Sequence, residues 1–470
     1  MNMKRNIIYL CIIFCSCFLS ACSEFLEEKA QNEVRVQSVQ DYSEYLLYYT
    51  DRGNMGLSLE NIMEILSDDI EITNYSQFAK VETYSDYFTW QPTCCMKNLD
   101  NTYEKLYESI MGTNCVLDGI DNATGGTLEQ KERVKAKALA LRAENYFILV
   151  NLYGEPYKYN KKALGVPLKL NASLLENGIA RNTVEEVYNQ MVKDLTQAIE
   201  LFKKYEKKRD DGMNITSSYI LLSRIYLYME EWEKAAQMAT NAINTSLGLT
   251  DYTTISSFKP AYTFSEVEYV NHVSYTTLLT GSVFYVSRDF IATLDNNDQR
   301  RFWFNLSLQA YYIGLKKWST SGEYRMYQAM RISEAYLNRM EANIMKEQPN
   351  VQEALADLNL LRRNRIKNYE DVSISDSQEL LEEIRAERRK ELCFDGHRWF
   401  DLRRYGMPAI TRAYKLDKKA EFQYYTLQEK DPLYTLPIPD KAFENNPQLE
   451  QNSCAYGPVR EPDVEESVEE

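Results

Sequence analysis

The chain has 470 residues, enough for two or three ordinary domains or one large helical one. Its 17 glycines and 12 prolines are about half the average share of turn formers, which argues against sandwiches, barrels and propellers. A net charge of −15 argues against nucleic acid, and two histidines, His272 and His397, leave no material for most His-based catalysis or His-rich metal sites. Tyrosine is the outlier, 36 residues against 17 phenylalanines, which points to many rings with a wet edge.

In chain order the first element is an address. Lys4 and Arg5 form a short basic region, and an apolar run from Ile7 to Leu19 follows, broken only by Ser16. It is too short to span a bilayer and has the size of a signal-peptide core. It ends in Leu19-Ser20-Ala21-Cys22, which fits a bacterial lipoprotein cleavage site. On that reading residues 1–21 are removed and Cys22 takes the lipid (palmitate and related acyl chains), which tethers the protein to a membrane. A plain secretory signal is the alternative. Loss of Lys4 and Arg5 makes the mature chain more negative by two charges. Cys11, Cys15 and Cys17 leave with the signal. Cys94, Cys95, Cys115, Cys393 and Cys454 remain, too scattered for a disulfide framework and without zinc-finger spacing. No metal or other cofactor is expected.

Residues 22–40 read as a polar tether. From Asp41 onward helical periodicity dominates: helices are expected over Tyr103–Asp121, Leu128–Tyr153, Val184–Phe202, Ile215–Met229 and Glu233–Ile243. The last two form a helical hairpin with aromatics on its first helix and Ala235, Ala236, Ala239 and Ala242 on its second, resembling a tetratricopeptide unit. A second such unit is expected from Met330 to Arg365, and within it Asn350 and Glu353 have capping-box spacing ahead of Val351, Ala354, Leu355, Leu358 and Leu361. Ser375 with Gln378 starts another helix through about Arg404. Between the units, the region 246–325 has weak periodicity and many Tyr, Thr, Ser and Phe, and reads as a loop-rich insertion. The expected organisation is thus 41–245, a helical region with repeat-like units; 246–325, the insertion; 326–460, a C-terminal region; and 461–470, an acidic tail.

Three stretches then resemble a known family: Ala140–Phe147 with Leu152-Tyr153-Gly154-Glu155-Pro156; the block from Glu387 through Arg404; and Pro437-Ile438-Pro439 with Asn446-Pro447 and Gln451-Asn452. Ser67-Asp68-Asp69 and Asp298-Gln299-Arg300 are weaker matches. The chain resembles the SusD/RagB group of nutrient-binding outer-membrane lipoproteins. The resemblance implies a mostly α fold, in which tetratricopeptide-like hairpins form a right-handed scaffold with a loop-rich, irregular ligand-binding face. It also implies a cell-surface, lipid-anchored protein of the outer membrane. Such a protein captures oligosaccharides, or in some members peptides, and delivers them to a SusC-like TonB-dependent transporter.

The Glu387–Arg404 block looks chemical, but Arg388, Glu391, Asp395 and Arg398 fall at helical steps suited to ion pairs along or between helices. Trp399, Phe400 and Leu402 would anchor it in the core. A lone His397 without a positioned nucleophile is not a catalytic constellation. Ser67-Asp68-Asp69 could bind sugar hydroxyls or a hard cation, or be a solvated acidic turn. The aromatics of the polar stretch Thr73–Thr93 form one expected ligand group: Tyr75, Tyr84, Tyr87, Phe88 and Trp90, with Asn74, Glu82 and Asp86 as polar partners and Asp69 nearby. By analogy with the family, Trp303, Tyr311, Tyr312 and Trp318 form the second. For each ring taken singly, plain packing is the alternative. The expected function is therefore glycan capture and handover, without catalysis. The rivals are the same role with peptide cargo, a repeat scaffold that binds no ligand, and a glycan-degrading enzyme, for which no carboxylate pair is evident.

Overall fold

Short polar side chains that take the orphan amides of a first turn set where several scaffold helices begin. The computed structural model describes residues 36–50, 59–95, 101–174, 177–206, 212–257, 259, 261–275, 283–306, 313–317, 325–444 and 446–463. Its scaffold helices are α1 (Val39–Thr50), α2 (Leu59–Leu66), α3 (Thr102–Gly119), α4 (Leu128–Tyr153), α5 (Val184–Phe202), α6 (Ile215–Tyr228), α7 (Trp232–Thr245), α8 (Ile332–Met345), α9 (Val351–Arg363), α10 (Ser377–Glu391) and α11 (Arg398–Arg404). Thr127 with Gln130, Thr183 with Glu186 and Asn214 with Ser217 close capping boxes at α4, α5 and α6. The expected boundaries of α4 and α5 are those observed.

Every residue of α4 from Ala138 to Tyr153 is buried, because neighbouring helices cover it on all sides. Arg142 ties three helices together: it forms a bidentate pair with Asp194 of α5 at 2.8 and 2.7 Å and donates to Asn114 of α3 at 2.9 Å. α6 and α7 form the first expected hairpin, and α8 and α9 the second. Ala235, Ala239 and Ala242 are fully buried, and their small side chains let the backbones of the hairpin approach. Buried polar contacts bind the two hairpins, Arg224 to Glu334 at 2.6 and 2.7 Å and Asn338 to Ser223 at 2.7 Å.

The helix expected to run through Arg404 is broken. It starts on Asp376, whose side chain accepts from the Glu379 amide, and α10 ends at Glu391. Phe394 (φ 59°) and Gly396 (φ 76°) then turn the chain before α11, a left-handed conformation that no helix can continue. The acidic and basic residues of this block pair with distant elements, with each other across the break, and, for Asp401 with Arg404, along α11. Glu391 receives Arg300, Arg331 and Arg365 at 3.1, 2.6 and 2.9 Å; Asp395 receives Lys317 and Arg331 at 2.8 and 2.9 Å; Arg388 pairs with Asp401 at 3.0 Å. All are buried, as are Trp399, Phe400 and Leu402.

The strands are short and lie in two-stranded antiparallel ribbons: β1 (Ile70–Glu71), β2 (Val267–Tyr275), β3 (Tyr285–Val286), β4 (Phe304–Leu306), β5 (Ile313–Leu315), β6 (Arg325–Arg331), β7 (Ile410–Tyr414) and β8 (Gln423–Leu427), paired β1–β3, β2–β6, β4–β5 and β7–β8. Several fall in the region expected as an irregular insertion. Strands of two or three residues carry too few side chains to show a period.

The C-terminal end of α4 explains why the three signature stretches occur together. A helix leaves its last carbonyls without partners and negative in partial charge. Arg403 donates to the carbonyls of Asn151 and Gly154, the Leu436 amide donates to Leu152, and Arg181 and Asn452 both donate to Tyr153. Gln451 clamps both polar groups of Ile438 at 2.8 and 2.7 Å. One residue set from each signature therefore seals a single buried helix end.

Candidate functional site

A cleft of about 760 Å³ opens where β1, the segment after it (Ile72–Tyr75), the short helix Arg288–Ala292 and β7 meet. The β1–β3 ribbon, with Ile70 opposite Val286 and Glu71 opposite Tyr285, brings the N-terminal segment against the Arg288 turn. Tyr285 Oη fixes the next stretch by donating to the Tyr75 carbonyl at 3.1 Å. Tyr75 is 54% exposed and presents a flat ring beside Asn74. Phe422 also lines the cleft.

Charge in the cleft is largely paired. Asp68 receives Arg398 through Nε and Nη2 at 2.6 and 2.7 Å. Its burial would raise its carboxyl, but the Arg398 hydrogen bonds and charge win and hold it at about 2. Asp69 receives Arg389 at 2.7 Å; burial, aided by neighbouring Asp68, still leaves its carboxyl above the ordinary value. Glu71 pairs with Arg288 at 3.3 Å and is raised by burial.

Arg412 is held differently. Its guanidinium donates to the carbonyls of Ile65, Phe88 and Ser67 and lies over the rings of Trp90 and Phe88, 4.1 and 4.6 Å from their centroids. Burial lowers it to about 9. Lys415, just beyond β7, is also buried; it donates to Asn74 Oδ1 at 2.7 Å and sits 4.6 Å from the Phe422 ring centroid.

The expected ligand residues divide four ways. Asn74, Tyr75 and Phe88 line the cleft. Trp90, Tyr87, Trp303 and Asp69 are interior residues, which corrects their expected role as contact surfaces. Trp90 is 1% exposed, with Nε1 donating to the Leu66 carbonyl at 3.1 Å and a left-handed φ of 50°. Trp303 is 2% exposed, sandwiched by Lys317 at 4.2 Å and Tyr252 edge-on at 5.9 Å. A cation already lies over each ring, Arg412 over Trp90 and Lys317 over Trp303. Tyr84 is half-buried against Phe284, 6.4 Å away. Tyr311, Tyr312, Trp318 and the acylation residue Cys22 lie outside the described residues. His397 is buried, and its imidazole is held well below the ordinary value by burial and then by Arg224 and Arg388.

Arg412, Lys415 and Phe422 were missed in the sequence. One signal existed: Ile410, Arg412 and Tyr414 alternate on the buried face of β7, so the arginine sits where an apolar residue belongs. Cys94, Cys95, Cys115, Cys393 and Cys454 form no disulfide among the described residues. Among the described residues no cluster of three or more His, Cys, Asp and Glu could hold a metal ion, and no helix is long and apolar enough to cross a membrane.

A sequence model of the SusD family matches residues 291–456, and a second, described as starch-binding and associating with the outer membrane, matches residues 24–227. A SusD-like protein of Formosa agariphila is 24% identical over 265 residues, covering 52% of this chain and 47% of that one. A SusD-like protein of Bacteroides ovatus is 24% identical over 153 residues, 32% of this chain and 26% of that one. The chain thus spans about half the length of the first relative and about a quarter of the second. Among solved structures, a SusD superfamily protein of Bacteroides thetaiotaomicron superposes with a TM-score of 0.70 at 22% identity, over 88% of this chain and 99% of that one. A laminarin-binding SusD-like protein gives 0.66 at 20% identity, over 89% and 99%. With the two family models together matching residues 24–227 and 291–456, and the mostly helical fold of a solved SusD superfamily protein, the chain belongs to the SusD/RagB family.

Proposed function

We propose that this protein captures oligosaccharides at the cell surface and delivers them to a SusC-like TonB-dependent outer-membrane transporter, without cleaving them. The cleft beside Tyr75 carries this reading. An exposed aromatic ring offers a flat partner to the C–H face of a sugar, and Asn74 with the neighbouring arginines offers donors to its hydroxyls. The laminarin-binding relative of the same fold supports glycan over peptide. Asp68, whose carboxyl is held below the ordinary value, has both oxygens engaged by Arg398, which suits a structural carboxylate and not a proton donor to a glycosidic bond. Acylation of Cys22 would hold the protein beside its transporter and raise their effective concentration.

The test is a thermal-shift and calorimetric screen of the chain from residue 23 onward against oligosaccharide and peptide libraries. A ligand at one hundred times its Kd stabilises the fold by about 2.7 kcal/mol. A glycan hit weakened by Tyr75→Ala supports the reading. Peptide hits alone would overturn the cargo, and hydrolysis of a bound glycan would overturn the absence of catalysis.

A further inference from the structure

Counting charges around the cleft shows an imbalance. Asp68, Asp69 and Glu71 each face a guanidinium, from Arg398, Arg389 and Arg288 respectively. Arg412 and Lys415 face no carboxylate within ion-pair distance among the described residues, although both are more than nine-tenths buried. Arg412 is held by three carbonyl oxygens, which carry only partial negative charge. Lys415 is held by one amide oxygen and two aromatic faces, Phe422 at 4.6 Å and Phe78 at 5.8 Å. Among the lining side chains Arg288, Arg389 and Arg412 balance Asp68, Glu71 and Asp289; behind them Arg398 offsets Asp69, which leaves buried Lys415 as the excess cation. The cleft is therefore locally positive in a chain whose net charge is −15.

Burial makes that excess count. A charge in a low-dielectric wall projects a stronger field into an adjoining cleft than the same charge in water, whereas the acidic outer surface is screened beyond about 8 Å at physiological salt. Lys415 also fixes what Asn74 offers. With Oδ1 accepting from the ammonium, the half of the amide left for a ligand is the Nδ2 donor pair. Field and donors favour the same partner, one that brings negative charge and acceptor oxygens.

We propose that the cleft selects acidic glycans, oligosaccharides bearing a carboxylate or a sulfate ester, over neutral ones of the same length. This rests on the cleft being the glycan site. Lys415 and Arg412 act as positioning and field residues, while Asn74 and Tyr75 touch the sugar.

The experiment is calorimetry of the mature chain with three probes: a uronic-acid oligosaccharide, its carboxyl-reduced neutral counterpart, and a sulfated oligosaccharide of similar length. At low salt at least one acidic probe should bind about tenfold more tightly than the neutral one, and the advantage should shrink at half-molar salt. Whether the uronate or the sulfated probe wins identifies the anion. Lys415→Met, checked for folding by circular dichroism, should remove most of the advantage of the acidic probe over the neutral one. Neutral binding equal to or tighter than both acidic probes overturns the selectivity and leaves the capture reading intact. Binding of none of the three, with the chain folded, overturns both. Because the reduced and unreduced ligands are compared on the native chain, the result does not depend on the variant folding.

Discussion

Arg398 and Asp68, 330 positions apart, meet as a bidentate pair with Nε–Oδ1 at 2.6 Å and Nη2–Oδ2 at 2.7 Å. The pair fastens the signature block to the acidic turn that forms one wall of the cleft. Arg389, in the same block, reaches Asp69 beside it. Two stretches that looked chemical are therefore each other's structural partners.

A double-mutant cycle of Arg398→Ala and Asp68→Asn should show a coupling energy of about 1–3 kcal/mol. The same pair sets an acid limit. The folded-state pKa of Asp68 lies below its unfolded value, at about 2, so its stabilising contribution is complete above about pH 4. It is lost as pH falls toward 2. Urea unfolding at pH 5, 4, 3 and 2 should show a smaller loss in Asp68→Asn than in the parent. Parallel curves would sink the assignment.

Glu64 predicts the opposite slope. It is buried, its Oε1 accepts from the Gly396 amide at 3.0 Å, and its Oε2 has no hydrogen-bond partner among the described residues. Burial and then the nearby Asp69 carboxyl raise it well above the ordinary value. A carboxyl raised in the folded state contributes stability below its unfolded pKa that is lost as pH rises through the folded one. Glu64→Gln should therefore stabilise at pH 8, by on the order of 1 kcal/mol, and give no gain at pH 4. Measured unfolding free energies that fall equally at both pH values would show that the carboxyl is not being held neutral.

The buried end of α4 gives a third prediction. Arg403→Met removes the guanidinium donors to two interior carbonyls, leaving Gly154 only a long 3.5 Å bond from Thr435 Oγ1, and should cost about 3 kcal/mol or more. The control is Arg363, whose exposed bidentate pair with Asp371 at 2.7 and 2.5 Å has equally good geometry. Arg363→Met should cost under about 1 kcal/mol, because water screens and replaces it. Similar losses in the two variants would mean that burial is not what gives Arg403 its weight.

Much of the scaffold was legible because long helices repeat their signal. α4 and α5 carry 26 and 19 residues, and Gly154 with Pro156 marks where α4 must stop. The break at Phe394 was not legible, because its left-handed φ is imposed by Glu64 and Lys317 gripping the flanking Gly396 and Asp395. The cleft was half legible. Asn74 and Tyr75 stood out as an amide and a ring in a polar stretch without an apolar face. Trp90 stood out for the same reason and was misread, since the helices around it, Phe78–Thr83 and Ser85–Phe88, are six and four residues long and too short to reveal which face is covered. Arg412 and Lys415 reach the cleft from more than 300 positions away, and local sequence holds no record of that distance.

Tyr75 and Trp90 separate binding from folding in one experiment. Tyr75 is 54% exposed and Trp90 is 1% exposed, so their rings meet different partners. Replacing Tyr75 by alanine removes a surface ring and should leave unfolding free energy within about 0.5 kcal/mol of the parent. If that ring stacks on sugar, affinity should fall roughly tenfold, equivalent to about 1.4 kcal/mol. Replacing Trp90 by alanine opens a cavity beneath Arg412 and removes the Nε1 bond to Leu66, and should cost about 3–5 kcal/mol of stability. The folded fraction of that variant should bind glycan with an affinity near the parent's, provided that Arg412 keeps its carbonyl partners. Calorimetry normalised to active-site concentration, alongside urea unfolding of both variants, gives the four numbers needed. A Tyr75 variant that binds normally would move the site out of this cleft. A Trp90 variant that stays stable but loses the ligand would make the buried ring a contact residue after all.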